Sequence, residues 1–228
     1  MQKINEPALV VLSGGQDSTT CLIWALKKFS SVSAITFNYK QRHAIEIECA
    51  KKIVETINST GGKKVEGHQI VDMSFLSDLI QSAMIQETEI TYNDENMLPT
   101  TFVPGRNILF LTIAAAVAYQ KKIKHIVAGV CQEDYSGYPD CRDATIKSLQ
   151  ATLKLGLEHD VIIHTPLMWK NKAETIKFMQ KLGGIDLYKY THTCYEGKRP
   201  ACGKCFACEL RLNGFKEAGL VDPLEYAE

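Results

Sequence analysis

Residues 8–22 read ALVVLSGGQDSTTCL, and this stretch decides the fold class. Residues 8–12 are apolar and rich in Val and Leu, which is typical of a short buried β-strand. The two glycines that follow mark a turn. Beyond them, apolar side chains recur at three- and four-residue intervals, which predicts an amphipathic helix over residues 18–29. The stretch therefore predicts a strand, a tight loop and a helix in direct succession.

The same alternation continues along the chain. Short apolar runs bounded by turn residues predict further strands at 34–39, 69–71, 125–130 and 161–164. Helical spacing predicts helices at 44–60, 74–82, 107–121, 143–156 and 171–182. Strands that alternate with helices form parallel βαβ units. We therefore predict an α/β fold with a doubly wound, mostly parallel five-stranded sheet and helices on both faces.

The alternation stops at two consecutive glycines, Gly183 and Gly184. We predict that residues 1–184 form one nucleotide-binding domain of Rossmann-like topology. Residues 185–228 contain a cluster of cysteines and a short segment at 208–218. They are predicted to form a small C-terminal appendage.

The SGGQDS loop, residues 13–18, has the composition of a phosphate site. Its glycines let the backbone approach a ligand, and its hydroxyls and the amides at the helix start donate to an anion. It lacks the Gly-Lys-Ser/Thr ending of a P-loop and the three-glycine dinucleotide fingerprint. We predict that a nucleotide phosphate binds to the continuous set Leu12, Ser13, Gly14, Gly15, Gln16, Asp17, Ser18, Thr19 and Thr20.

Asp17 is the unusual member of this loop. A carboxylate in a phosphate site repels the ligand unless a divalent cation lies between them, so Asp17 is a candidate Mg²⁺ ligand. The alternative is that Asp17 or Ser18 is an N-cap that satisfies backbone amides of the helix.

Four cysteines lie close together near the end of the chain: Cys194, Cys202, Cys205 and Cys208. Two overlapping C-x-x-C pairs favour tetrahedral Zn²⁺, and four thiolates leave no open position, so such a site is structural. An iron–sulfur cluster is the alternative, because the same spacing occurs in cluster-binding sequences.

A third segment, residues 133–143, follows the strand predicted at 125–130. It should emerge at the carboxyl edge of the sheet, beside the SGGQDS loop. Its tyrosines can stack on a planar ring and its carboxylates can accept ring N–H groups. The candidate substrate residues are Asp134, Tyr135, Tyr138, Asp140 and Arg142. Ordinary turn chemistry is the alternative for this segment.

Composition excludes several classes of protein. The 228 residues carry 26 basic and 26 acidic side chains, so no overall field attracts nucleic acid or an anionic membrane. The apolar stretch 107–120 is shorter than the roughly 20 residues of a membrane span. The first residues, MQKINEP, lack the pattern of a secretory signal. We therefore expect a cytoplasmic protein with no membrane or nucleic-acid partner.

The SGGQDS loop resembles the pyrophosphate-binding loop of the N-type ATP pyrophosphatases, which split ATP into AMP and pyrophosphate while adenylating a substrate. Together with the other motifs, the chain resembles the 7-cyano-7-deazaguanine synthase family of queuosine precursor synthesis. The resemblance rests on residues 13–22, 39–46, 103–107, 134–142, 166–177 and 193–215. It implies a homodimer that uses ATP, Mg²⁺ and Zn²⁺. The implied reaction converts 7-carboxy-7-deazaguanine and ammonia into an amide and then a nitrile.

Two further residues are catalytic candidates. Arg106 follows Pro104-Gly105 and precedes an apolar helix, where its guanidinium could reach phosphate; a solvated loop arginine is the alternative. Lys172 resembles a lysine near the phosphates in related enzymes, where it would stabilise the α-phosphorus and departing pyrophosphate. Its alternative is purely structural, since Asn171 and Glu174 have the pattern of a capping box.

Two rival functions fit parts of the sequence. A tRNA-thiolating adenylase would use the cysteines as an iron–sulfur cluster or sulfur relay, with Cys21 or Cys141 as a nucleophile. A zinc-stabilised module that senses ATP or nucleic acid would bind without turnover. The ammonia source is not encoded in any recognisable segment.

Overall fold

The structure is a computed structural model that describes residues 2–40, 45–85, 91, 98–132 and 137–227. The strands are β1 (Ile4–Val11), β2 (Phe29–Asn38), β3 (His68–Asp72), β4 (His125–Val127) and β5 (Ile162–His164). The helices are α1 (Gln16–Lys28), α2 (Ile45–Ser59), α3 (Leu76–Leu79), α4 (Arg106–Gln120), α5 (Asp143–Leu157), α6 (Lys172–Lys181) and α7 (Phe206–Ala218). Short 3-10 helices occur at Pro139–Cys141 and Ile185–Tyr190.

The five strands form one parallel sheet in the order β3-β2-β1-β4-β5, which confirms the predicted α/β fold. The chain winds outward from β1 to β3 and then returns to pair β4 with the other side of β1. The strand order therefore reverses between β1 and β4. Ligands of doubly wound sheets bind at such a reversal, outside the carboxyl ends of the strands.

Helices cover both faces of the sheet because the central strand is apolar on both sides. Ala8 and Val10 of β1 pack in a cluster with side chains of α1, α2 and α6, whereas Leu9 packs with α4 and α5 on the opposite face. This alternation follows from the two-residue period of a strand. A continuous apolar run is what a parallel strand buried on both faces requires.

Several predicted boundaries were wrong. β2 begins at Phe29, within the predicted first helix, because pairing with β1 extends the strand over polar residues. β4 ends at Val127 instead of residue 130, since the chain at Gly129 turns against α1. A Cβ at Gly129 would lie 3.0 Å from the Ser18 backbone nitrogen. The helix predicted at 74–82 is reduced to the four residues of α3.

The C-terminal segment packs on the sheet unit through buried side chains. Tyr188 and Phe215 belong to the same apolar cluster as β1 and α1. The Tyr188 hydroxyl lies 2.6 Å from Thr20 Oγ1. Arg211, 1% exposed, forms an ion pair of 2.7 Å with Asp222. These contacts fix the cysteine-bearing segment against the start of α1.

The division into units at residues 184 and 185 stays a prediction. No helix in the described ranges is long and apolar enough to cross a membrane.

Candidate active site

A cavity of about 310 Å³ lies at the carboxyl ends of β1 and β4, where the strand order reverses. We call it the main cavity. One wall is the SGGQDS loop, and another is formed by the side chains of Phe37, Tyr39, Arg106 and Phe110. The main cavity thus has a polar, amide-rich side and an aromatic side, which suits a ligand with phosphates and a planar ring.

The SGGQDS loop is held in a tight turn by its own hydroxyls. Ser18 Oγ accepts from the Ser13 amide at 3.1 Å and lies 3.0 Å from Ser13 Oγ. Gly14 has φ +87°, and a Cβ there would lie 2.2 Å from the Glu46 carbonyl oxygen. The glycine is therefore required both by its backbone conformation and by the close approach of α2.

Helix α1 begins without a side-chain cap. Gly15 is the N-cap residue and its position carries no capping hydrogen bond, so the alternative that Asp17 or Ser18 caps this helix was wrong. The amides at the helix start consequently remain available to an anion in the main cavity.

Asp17 and Lys172 form an ion pair beside the loop. Lys172 Nζ donates to Asp17 Oδ2 at 2.8 Å, and both side chains are mostly buried. Asp17 Oδ1 is buried and has no hydrogen-bond partner among the described residues. The pair joins the first turn of α1 to the start of α6, the helix that follows β5, and leaves one carboxylate oxygen able to accept a cation.

The capping box predicted before Lys172 is also present. Asn171 Oδ1 accepts from the Glu174 amide at 2.8 Å, and the Asn171 amide donates to Glu174 Oε2 at 3.0 Å. The two alternatives for this segment, a structural capping box and a lysine close to bound phosphate, are therefore compatible. The capping box fixes the start of α6, and Lys172 extends from that fixed start to the loop.

Gly214 on α7 makes room for Lys172. A Cβ at Gly214 would lie 2.7 Å from Lys172 Cγ. We expect Gly214→Ala to displace Lys172 and to lower by about tenfold or more the rate of the pyrophosphate release that the family resemblance implies. The matched control is Gly156→Ala in α5, where nothing lies within 4 Å of the added Cβ. Because alanine favours the helix in both variants, equal rates for the two proteins would contradict this role of Gly214.

Arg106 lies inside the site and is not a solvated loop residue. It begins α4, and its Nη1 donates to the Tyr39 hydroxyl at 3.3 Å. Glu46, from the first turn of α2, lines the same wall. Burial raises the pKa of the Glu46 carboxyl to about 7, although the positive charge of Arg106 opposes the shift. This wall therefore carries a cation and a carboxyl group that titrates near neutral pH.

The Glu46 shift predicts a pH-dependent stability. An unfolded glutamate releases its proton near pH 4.5 and the folded one near pH 7, so stability is lost as pH rises across this window. Glu46→Gln removes this loss. We expect the free energy of unfolding of Glu46→Gln to gain about 3 kcal/mol relative to the unsubstituted protein between pH 4.5 and 8, and its relative melting temperature to rise over the same range. A constant difference in melting temperature across this range would contradict the shift.

The segment predicted to bind substrate is only partly described. Asp134 and Tyr135 lie outside the described residues, as does His43. Tyr138 lines the main cavity, and its hydroxyl lies 2.6 Å from Thr101 Oγ1. Asp140 is buried, and its Oδ2 accepts from the backbone N–H of Asn107 at 2.9 Å, at the start of α4. Arg142 is exposed and is not part of the cavity wall. The substrate role of these residues stays a prediction.

The four predicted cysteines converge at the start of α7. Their sulfur atoms all lie within 4.8 Å of one another, and Cys202 Sγ is 3.9 Å from Cys208 Sγ. A tetrahedron with metal–sulfur bonds of about 2.3 Å has edges of about 3.8 Å. The backbone amides of Tyr195 and Cys205 donate to the Cys205 and Cys202 sulfurs. The donor set and spacing therefore fit a tetrahedral metal ion.

Other wall residues were missed. Glu46 and Thr193 lie in the segments 39–46 and 193–215 that carry the family resemblance but were given no role there, and Phe110 lies in no motif. The three come from a helix start, a helix face and an irregular segment that meet only in the fold. The positions of these three residues in the sequence do not predict that their side chains lie in one cavity. Cys21 is fully buried, and burial raises the pKa of its thiol well above the usual value. This is unfavourable for a nucleophile.

Comparison with solved structures confirms the fold. A 4-thiouridine synthetase in complex with RNA and bound ATP has a TM-score of 0.53 and 16% sequence identity. It covers 94% of this chain, which spans 50% of that protein. The U34-tRNA thiolase NcsA from Methanococcus maripaludis, with its [4Fe-4S] cluster, has a TM-score of 0.50 and 18% identity, covering 95% of this chain and 68% of that one. The chain therefore shares the fold of these two proteins.

Sequence comparison gives the family. The family described as queuosine biosynthesis protein QueC matches residues 7–219, and the chain belongs to it. A 7-cyano-7-deazaguanine synthase from Chromobacterium violaceum is 46% identical, with 98% of this chain and 94% of that protein covered. A protein of the same name from Staphylococcus epidermidis is 53% identical, with 92% of each chain covered. The one from Bacillus subtilis is 50% identical, with 93% and 94% covered.

Proposed function

We propose that this protein is an ATP-dependent carbon–nitrogen ligase that converts 7-carboxy-7-deazaguanine and ammonia into 7-cyano-7-deazaguanine. The observation that carries the proposal is the near full-length identity of 46–53% to relatives with this synthase name. The geometry supports it, because the SGGQDS loop and an aromatic wall face each other across the main cavity.

The proposed first step activates the substrate carboxylate. A carboxylate oxygen bonds to the α-phosphorus of ATP as the bond to pyrophosphate breaks, which gives an acyl adenylate. The amides and hydroxyls of the SGGQDS loop hold the β- and γ-phosphates. Lys172 and Arg106 offset negative charge that develops during transfer. Positioning and charge stabilisation are sufficient here, so no protein nucleophile is required.

The ring of the substrate is proposed to lie against the aromatic side of the main cavity. Tyr138 and Tyr39 offer flat faces there. Ammonia then attacks the acyl adenylate and forms an amide. A second activation of the amide, followed by loss of water, gives the nitrile. The polar groups of the segment at 134–142 are proposed to orient the ring.

Two metals belong to this proposal. Asp17, with its unpaired buried oxygen, is the candidate Mg²⁺ ligand, and a bound Mg²⁺ would neutralise phosphate charge. The four cysteines are proposed to hold Zn²⁺ in a closed, structural site. A homodimer and a cytoplasmic location are proposed on the family resemblance.

The function is tested by measuring AMP and pyrophosphate with ATP and Mg²⁺, with and without 7-carboxy-7-deazaguanine and ammonium. We expect both products to require the deazapurine acid. If AMP and pyrophosphate form with tRNA or with another acid instead, the SGGQDS loop keeps its proposed adenylating role and the proposed substrate is wrong. ATP binding without cleavage under any condition would favour a sensing module.

A further inference from the structure

A second, smaller cavity of about 150 Å³ lies beside the main cavity, between the SGGQDS loop and the first turns of α7. We call it the side chamber. Gln16, Tyr138 and Thr193 line both cavities and form the boundary between them. A molecule in the side chamber is therefore separated from the main cavity by a single layer of side chains.

Two of these boundary residues carry buried polar atoms. Gln16 is 2% exposed, and neither its Oε1 nor its Nε2 has a hydrogen-bond partner among the described residues. The same holds for Thr193 Oγ1. Each buried polar group without a partner carries a desolvation cost that no hydrogen bond offsets. A ligand that both donates and accepts hydrogen bonds would satisfy them.

The other walls restrict the chemistry of that ligand. Lys172 and Arg211 contribute two positive charges, each already paired with a carboxylate, Asp17 and Asp222 respectively. Like charge disfavours a further cation. The remaining surface includes Phe206 and Leu210. The ligand class is therefore a small neutral molecule with N–H or O–H donors and a free lone pair.

We propose that the side chamber binds ammonia and presents it across the Gln16–Thr193 boundary to the activated carboxylate, an inference that rests on the proposed function. The N–H groups of ammonia donate to Gln16 Oε1 and Thr193 Oγ1, and its lone pair accepts from Gln16 Nε2. In the reaction, the lone pair forms the C–N bond as the C–O bond to AMP breaks. AMP takes the bonding electrons, and the surplus N–H proton passes to water.

The first test compares Thr193→Val with Thr193→Ser. Valine keeps the branched shape without the hydroxyl, whereas serine keeps the hydroxyl. At saturating ATP and deazapurine acid, we expect Thr193→Val to raise the KM for ammonium about tenfold, which corresponds to one lost hydrogen bond. We expect Thr193→Ser to stay within about twofold of the unsubstituted protein. Equal KM values for the two variants would overturn the role of the hydroxyl.

The second test fills the side chamber from α7 with Leu210→Trp, with Leu210→Met as the volume-conserving control. We expect only tryptophan to raise the KM for ammonium. Pyrophosphate release with the acid alone and ATP-dependent conversion of the amide to the nitrile should be unchanged, since neither consumes ammonia. Metal content and melting temperature show that the variant is folded.

The outcomes separate the two proposals. If the unsubstituted protein releases no pyrophosphate with the acid, the proposed function fails. If it does, and Leu210→Trp leaves the KM for ammonium unchanged, the side chamber holds only water and the ammonia proposal fails. An equal loss in the ammonium-dependent and amide-dependent reactions would also overturn it.

Discussion

Asp17→Asn is expected to reduce acid-dependent pyrophosphate release by at least about 100-fold while the protein remains folded. Asparagine has nearly the same shape but no charge. It would lose the ion pair that Lys172 Nζ makes with Asp17 Oδ2 at 2.8 Å. It would also replace the charged carboxylate whose buried Oδ1 is the candidate Mg²⁺ ligand by a neutral amide, which binds the cation more weakly. Both losses weaken the side of the main cavity where charge develops on the phosphates.

Its matched control is Asp160→Asn, which breaks another lysine–aspartate pair. Lys154 Nζ lies 2.6 Å from Asp160 Oδ1, and the Asp160 side chain is 62% exposed. Exposed pairs contribute little to stability. We expect this variant to retain the rate. Pyrophosphate release by Asp17→Asn at a comparable rate, under saturating Mg²⁺, would contradict the assignment of Asp17.

Cys205→Ser is expected to lose the bound metal and to lower the melting temperature by about 10 °C. The sulfur of Cys205 is one of four that lie within 4.8 Å of one another, and Cys205 is also the N-cap residue of α7. α7 carries Arg211, whose ion pair with Asp222 is buried against Tyr188. Loss of the metal should therefore loosen contacts that reach the start of α1.

The control is Cys131→Ser, since Cys131 lies outside the cluster. Metal content measured by elemental analysis should stay at one ion per chain in Cys131→Ser and fall to near zero in Cys205→Ser. The same analysis distinguishes zinc from iron. Full metal content in Cys205→Ser, or an unchanged melting temperature, would contradict a structural site built on the four thiolates.

The parts of the fold that could be predicted are those in which local pattern and final environment agree. Residues 8–12 are apolar without interruption because the central strand is buried on both faces. The turn after them needs glycine at residue 14, where φ is positive. Polar residues at the start of β2 gave no strand signal, because their place in the sheet is decided by pairing with β1.

The candidate site divides in the same way. The SGGQDS loop is contiguous and the four cysteines are closely spaced, so both could be identified as candidate sites from the sequence. The aromatic wall, Glu46 and the Gln16–Thr193 boundary are assembled from distant segments. The pKa of Glu46 depends on burial that only the folded chain provides. Gln16, Glu46 and Thr193 lie in segments that the sequence singles out, but their meeting arises from packing and no local pattern reveals it.

The most direct test of the central claim is the mass of the deazapurine product after incubation with ATP, Mg²⁺ and isotopically labelled ammonium. The account predicts that 7-carboxy-7-deazaguanine is converted into the nitrile with one labelled nitrogen, and that AMP and pyrophosphate accumulate. Unchanged acid, with ATP intact and the protein folded and metal-loaded, would contradict the claim that this protein is a nitrile-forming ligase.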